Sequence, residues 1–345
     1  MYSNFKKLIF KFDPETAHDL AIKALKTNLF PKINLDDDEM FKTSLFGKDI
    51  KNPIGIAAGF DKDAEVYNQL SKLGFGFVEV GTVTPKKQLG NQKPRVFRLE
   101  DDEALINRLG FNNSGSDKIR KRIIENAPSC LLGINIGPNK DTKNRIDDYL
   151  FCLNKFYDIA DYITVNISSP NTDNLRNFHN VEELDSLLKV LSKEKKKLKC
   201  NIPLVVKISP DISTDSVKEI SSSLLGHNIQ AIIVSNTTDS NRDLLKSHER
   251  FQKGGLSGKP LNDISNSLIK KFHKNLEGKI DIIGVGGINS GQAAFEKFSS
   301  GAKYLQLYTG MVFEGPYIIK KILNELKEIL IGKKIKNLGE ITNKY

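Results

Sequence analysis

The sequence predicts a (β/α)8 TIM barrel of the α/β class carrying a small N-terminal helical appendage. Short apolar, β-branched runs recur at eight places after residue 50, which is the composition of buried parallel strands. Helical patterns lie between them, so β and α alternate through most of the 345 residues. The runs end abruptly in glycine, amide, hydroxyl or lysine residues, where a barrel of this kind builds its site. A doubly wound open sheet is the alternative, but it usually needs fewer strands.

Composition narrows the function classes. At 39% hydrophobic and 27% charged residues the chain reads as soluble and globular. No apolar run approaches the roughly 20 residues that span a bilayer, and no secretory signal is visible. Cys130, Cys152 and Cys200 form no C-x-x-C pair and read as reduced thiols. A net charge of +10 suits nucleic acid, an anionic membrane surface or an anionic substrate. Much of it is lysine on helix faces, as in residues 193–199, a solvated helix end. No basic motif is interleaved with aromatics, so no nucleic-acid partner is expected.

Residues 1–30 read as two short amphipathic helices. Phe5, Leu8, Ile9 and Phe12 recur at helical steps among Lys6, Lys7 and Lys11. Asp13 can cap the second helix, Pro14 suits its first turn and Glu15 its positive dipole end. Ala17, Leu20, Ala21, Ala24, Leu25 and Leu29 make its apolar stripe. Such a pair either lies in a membrane interface or packs on the body of the protein as a cap. Pro31 and the acidic run Asp36, Asp37, Asp38 and Glu39 mark a linker. The expected division is therefore 1–40 for helices and linker and 41–345 for the barrel.

The strand candidates are residues 54–58, 77–80, 131–135, 162–166, 203–208, 231–234, 282–285 and 304–307. Helices are expected over 63–73, 181–197, 214–225 and 291–300, among others. The first strand leads into Gly59 and Lys62, and the second into Gly81, Thr82 and Thr84. The third ends at Asn135 and the fourth at Asn166, with Ser168 and Ser169 beyond. Lys207 stands near the end of the fifth. Ser235 to Thr238 follow the sixth, and the loop after them closes with Gly254, Gly255, Leu256, Ser257 and Gly258. Gly286 and Gly287 follow the seventh, and Tyr308, Thr309 and Gly310 the eighth. Glycine turns at the last strands of such barrels commonly hold a phosphate, so a phosphate-bearing ligand is implied. No clustered His, Cys or carboxylate set suggests a metal; His227, His248 and His273 read as surface residues. Lys207 is costly to bury unless something anionic is near: a flavin gaining charge on reduction, or a buried carboxylate.

Taken together, these motifs resemble the dihydroorotate dehydrogenases of pyrimidine biosynthesis. The blocks that carry the resemblance are N-P-I-G-I-A-A-G-F-D-K-D at 52–63, G-T-V-T-P at 81–85 and N-R-L-G-F-N-N at 107–113. Further blocks are G-I-N-I-G at 133–137, N-I-S-S-P-N-T at 166–172, S-N-T-T at 235–238, G-G-L-S-G at 254–258 and G-V-G-G-I at 284–288. The soluble branches of the family use cysteine as catalytic base. Ser169 stands at that position here, as in the membrane-associated, quinone-using branch (class 2), which also carries an N-terminal helix pair.

The resemblance implies an FMN-dependent oxidoreductase that oxidises dihydroorotate to orotate and passes electrons to a membrane quinone. FMN would contact Ala58, Gly59, Lys62, Thr82, Asn135, Asn166, Lys207, Ser235, Gly258, Gly287, Tyr308 and Thr309. Ser235 stands where a threonine is common, and both supply a hydroxyl. The substrate would contact Lys62, Asn107, Arg108, Leu109, Gly110, Phe111, Asn166, Asn171, Asn236 and Thr237. Ser169 would take the C5 proton, helped by Thr172 and Phe111, and His18, Arg98 and Tyr308 would border the quinone. No metal is implied. The implied location is peripheral, on the cytoplasmic side of the cell inner membrane, and a monomer is expected. The alternatives are a soluble-type enzyme with another acceptor and a phosphate-binding barrel isomerase, which would not need Lys207 or the asparagine-rich pocket.

Overall fold

Eight parallel strands close into a barrel in chain order: Ile54–Ile56, Phe77–Val83, Leu131–Ile136, Tyr162–Asn166, Leu204–Lys207, Ala231–Val234, Asp281–Val285 and Tyr304–Leu307. The seam pairs the last strand with the first, Leu305 opposite Ile54. This computed structural model describes residues 2–27, 30, 32, 33, 35, 38–172, 174–240 and 242–341, without the side chains of residues 2–5. The expected contributions of Phe5, Leu29, Pro31, Asp36 and Asp37 lie outside what is described.

Alternation along each strand explains why the runs read as almost continuously apolar. Outward residues such as Val78, Val80, Ile134, Ile163 and Val206 pack under the helices. Inward residues Phe77, Leu131, Tyr162, Val205, Ile233, Ile283 and Tyr304 fill the bottom of the barrel. A hairpin, Thr43–Leu45 paired with Lys48–Ile50, plugs that end. Its Leu45 is fully buried, Phe46 packs 5.3 Å from the Tyr162 ring, and Tyr304 donates its hydroxyl to the Ser44 carbonyl.

The helices expected over 181–197 and 291–300 form at Val181–Lys197 and Gly291–Ser299. The pattern at 63–73 yields only Tyr67–Lys72: Ala64 adopts φ +52°, outside the helical region, and Asp61 accepts the N–H groups of Glu65 and Val66 ahead of the helix. Residues 255–258, read as a loop closure, instead form a strand. Gly255–Gly258 joins Val96–Leu99 and Ala104–Asn107 in a three-stranded antiparallel sheet beside the barrel mouth.

The N-terminal helices are Tyr2–Ile9 and Pro14–Lys26. Asp13 caps the second, accepting from the N–H groups of Glu15 and Thr16 at 3.0 Å each. Ala17 and Leu25 are buried, whereas Leu8, Phe12 and Leu20 remain exposed. The apolar stripe therefore packs on the body only in part. Among the described residues no helix is long and apolar enough to cross a membrane.

Candidate active site

Above the apolar floor the barrel interior turns polar. The fully buried Glu79 accepts from Asn135 Nδ2 at 2.8 Å, Gln306 Nε2 at 2.9 Å, and the hydroxyls of Tyr162 and Thr164 at 3.0 Å each. Four donors converging on one carboxylate supply what burial of such a group requires. Asn135 Oδ1 in turn accepts from Thr82 Oγ1 at 2.7 Å and Asn166 Nδ2 at 3.1 Å. Asn166 Oδ1 accepts the Ser168 hydroxyl at 3.0 Å, and Ser168 Oγ accepts Asn236 Nδ2 at 2.9 Å. One bonded chain thus fixes side chains from the second, third, fourth and eighth strands, together with Ser168 and Asn236 just past the fourth and sixth. Arg176 straps the loops above it, reaching the carbonyls of Ser168 and Thr237 and the carboxylates of Asp211 and Asp239.

This network floors a cavity at the C-terminal mouth of the barrel, about 1160 Å³ with its opening included. Its walls include Ala58, Gly59, Lys62, Thr82, Asn107, Leu109, Gly110, Phe111, Asn166, Ser169, Asn171 and Lys207. Ser235, Asn236, Thr237, Gly258, Gly287, Tyr308 and Thr309 complete the expected set. Three expected residues lie elsewhere. Asn135 sits beneath the wall, engaged with Glu79. Arg108 points to the outer rim, donating to the carbonyls of Pro94 and Lys253 and to Gln252, with its guanidinium 4.6 Å from the Phe97 ring. Thr172 is buried behind the serine loop and does not line the cavity. Its carbonyl accepts the Leu175 N–H, which turns the chain away.

Ser169 is almost enclosed, and its Oγ accepts the Asn171 N–H at 3.2 Å. Asn171 Nδ2 reaches the Asn107 carbonyl at 3.1 Å, joining the serine loop to the loop that carries Phe111. Lys207 is 5% exposed, with no hydrogen-bond partner among the described residues. Burial pulls its amine below the usual lysine range, and the field of Glu79 opposes that shift without a direct ion pair. Gly287 adopts φ +76°, and a Cβ there would lie 2.7 Å from the Asn262 Cα, so the turn closes backbone against backbone. Sequence reasoning missed Ser257, whose hydroxyl bonds that of Thr309 at 2.8 Å, and the Val96 and Leu105 wall. Ser257 lay inside a motif read only for its glycines.

A second cavity of about 1500 Å³ opens between the N-terminal helices and the barrel. It is mainly apolar, lined by residues such as Leu8, Phe12, Ala21, Leu25, Met311 and Pro316. His18, Arg98 and Tyr308 all line it: His18 stacks 6.4 Å from Tyr308, and Arg98 Nη1 donates to the Phe10 carbonyl at 3.0 Å. Burial, with the nearby Lys62 cation, lowers the His18 pKa to about 3, so its imidazole is neutral. Lys62, Val96, Leu105, Leu109 and Tyr308 line both cavities and form the partition between them. His227, His248 and His273 line neither.

A closed barrel with a polar mouth cavity backed by an apolar one defines an α/β-barrel enzyme that handles a polar reactant and an apolar one side by side. Residues 40–330 match the family model described as dihydroorotate dehydrogenase. A protein of Idiomarina loihiensis named dihydroorotate dehydrogenase (quinone) is 46% identical, over 94% of this chain and 100% of its own length. One of the same name from Bartonella tribocorum is 45% identical, over 97% of this chain and 94% of its own length. Among solved structures, the Eimeria tenella enzyme crystallised with ferulenol superposes with a TM-score of 0.93. It is 35% identical and the match covers 96% of each chain. The chain belongs to the dihydroorotate dehydrogenase family.

That family is flavin-dependent, and the residues here fit a flavin. Lys207 is a buried cation facing the cavity without a bonded acceptor among the described residues, beside hydroxyls and amides that match flavin carbonyls. The Gly286 and Gly287 turn closes the far end, where a phosphate would meet backbone rather than side chains.

Proposed function

We propose that this protein is a quinone-dependent dihydroorotate dehydrogenase that uses FMN and oxidises (S)-dihydroorotate to orotate in UMP biosynthesis. The observation that carries this reading is the partition of Lys62, Val96, Leu105, Leu109 and Tyr308, which separates an asparagine-lined cavity from an apolar one by single side chains. Lys207, Thr82, Asn166, Ser235, Gly258, Gly287 and Thr309 would hold FMN, which when bound would supply the acceptor for the hydride from C6 and the donor of electrons to the quinone.

The protein's own groups do the rest. Asn107, Asn166, Asn171 and Asn236 offer amides to the imide edges of the substrate, and Lys62 offers a cation to its carboxylate. Ser169 Oγ takes the C5 proton. The Asn171 N–H already aimed at that oxygen favours its charged form, and enclosure by Phe111 and Pro170 keeps water away. Thr172, buried behind the serine loop, passes on the proton that the Ser169 hydroxyl must shed as it takes the one from C5, and Phe111 in the cavity wall helps to enclose the pair. Neutral His18, Arg98 and Tyr308 border the quinone, which enters between the two helices. Exposed Leu8, Phe12 and Leu20 beside Lys7 and Lys11 suit residues 1–40 to a peripheral seat on the cytoplasmic face of the inner membrane.

Acceptor profiling tests the reading. Purified protein should carry a flavin absorbance that dihydroorotate bleaches, and a quinone should restore it far faster than fumarate or NAD. Restoration by fumarate or NAD instead would assign the chain a soluble-type acceptor, and an unbleached or colourless protein would remove the redox reading.

A further inference from the structure

Arg95 lies between the two cavities without lining either. Its side chain is 7% exposed and its guanidinium faces two ways. Toward the N-terminal helices, Nη2 and Nε donate to the Glu15 carboxylate at 2.7 and 3.1 Å. Toward the barrel mouth, Nη1 donates to the carbonyls of Leu89 and Asn91 at 2.6 and 2.8 Å. Burial alone would raise the Glu15 carboxyl, but its bonds to Arg95 and Lys93 outweigh that and hold it below the ordinary carboxylate range.

The segment that Arg95 grips is bonded to the substrate loop. Asn91 N–H donates to the Leu109 carbonyl at 2.9 Å, and its side-chain amide to the carbonyls of Arg108 at 3.0 Å and Asn171 at 3.4 Å. Gln88 Nε2 donates to the carbonyls of Gly110 and Phe111 at 3.1 Å each. Gly90 adopts φ +78°, and a Cβ there would lie 2.2 Å from the Leu109 carbonyl oxygen and 2.9 Å from Arg95 Nη1. Strap, arginine and loop therefore pack without slack.

We propose that the Glu15–Arg95 pair is a positioning device that couples docking of the N-terminal helices to the substrate loop, so that the acceptor-side appendage sets affinity for dihydroorotate and orotate. The proposal rests on the function argued above. Its physical basis is the cost of leaving a buried guanidinium half-paired. Without Glu15 the cation must turn or admit water, and either releases the carbonyls of Leu89 and Asn91 that set the loop. Glu15 and Arg95 act on the substrate through the 88–95 strap and touch no reacting atom.

The test uses the full-length flavoprotein with Glu15→Gln, Glu15→Asp and Arg95→Lys. Orotate affinity is read from its perturbation of the flavin spectrum, and dihydroorotate KM and limiting rate from flavin reduction without quinone. Glu15→Gln and Arg95→Lys should raise the orotate Kd and dihydroorotate KM by roughly threefold to tenfold, with the limiting rate within about twofold. Glu15→Asp, which keeps the charge, should fall between wild type and Glu15→Gln. In a cycle with Asn91→Ala, the double variant should lose less affinity than the product of the single losses. Unchanged orotate binding in folded Glu15→Gln or Glu15→Asp and Arg95→Lys, with only quinone KM altered, would overturn the coupling; so would losses that multiply fully with Asn91→Ala. A wild-type flavin spectrum insensitive to orotate would instead fault the functional reading itself.

Discussion

Asn135 donates its side-chain amide to the fully buried Glu79 carboxylate at 2.8 Å, and through that bond the barrel interior sets the floor of the site. The other Glu79 oxygen accepts from Tyr162, Thr164 and Gln306. Glutamine at position 79 fits the space, but its amide must face a donor whichever way it turns. Glu79→Gln should cost about 1–3 kcal/mol in denaturant unfolding. It also removes the carboxylate whose field opposes the burial of Lys207, so flavin retention should fall with it. Unchanged stability would show that the network tolerates an unpaired donor and would detach the floor from the fold.

Lys207 itself should matter to flavin retention more than to folding. Its cation is buried with no bonded partner among the described residues, so Lys207→Met removes a desolvation cost as well as a charge. The expected outcome is protein at least as stable as wild type when stripped of flavin, with flavin affinity weakened tenfold or more, about 1.4 kcal/mol per decade. The ratio of flavin to protein absorbance after purification reads this directly. Full flavin content in Lys207→Met would place the cation outside the flavin contacts.

Ser169→Ala separates chemistry from binding. Ser169 is the side-chain hydroxyl of its loop that lines the cavity, and among the described residues no His, Asp or Glu lines it. Flavin should remain bound, while its reduction by dihydroorotate slows by about 10²–10⁴-fold, the usual worth of a positioned base. Rapid-mixing absorbance measures it. A rate within a few-fold of wild type would pass the base role to another group.

Much of the barrel was legible because its strands are buried on both faces, which leaves uninterrupted runs such as Tyr162–Asn166. The excursion sheet was not. Val96–Leu99 places Arg98 amid apolar residues and is half-exposed over most of its length, so no period announces it. The stretch after the fourth strand shows both outcomes within a few residues. Ser169 and Asn171 face the cavity, whereas Thr172, close by in sequence, turns behind the loop. Arg108 likewise sits in a segment that faces the cavity but swings to the rim, where backbone carbonyls hold it. Motif spacing marks the segment, but which side chains face inward depends on backbone turns set by partners far along the chain. The Glu79 network shows this most clearly: Asn135 and Gln306 stand 56 and 227 residues from it, and each alone reads as an ordinary polar residue in a strand.

His18 provides a test by pH. Burial first, and then the Lys62 cation, lower its folded-state pKa to about 3, whereas an unfolded histidine titrates near 6.5. Between those values the unfolded chain binds the proton more readily, so stability rises with pH across this window. The contribution is fully present above about 6.5 and is lost as pH falls toward 3. His18→Phe keeps an aromatic against Phe60 and Tyr308, its neighbours at 5.1 and 6.4 Å, and removes the titration. The variant should therefore lose less stability than wild type between pH 6.5 and pH 4, as measured by thermal unfolding across that range. His179, held near 4 by its own burial, leaves a residual slope in both proteins, so the informative quantity is the difference between the two curves. Above pH 7 the curves should run parallel, and quinone turnover should show no inflection near 6.5 that His18→Phe abolishes. Parallel curves down to pH 4 would mean that His18 is solvated and charged at acid pH. The partition between the two cavities would then be wetter than its packing indicates.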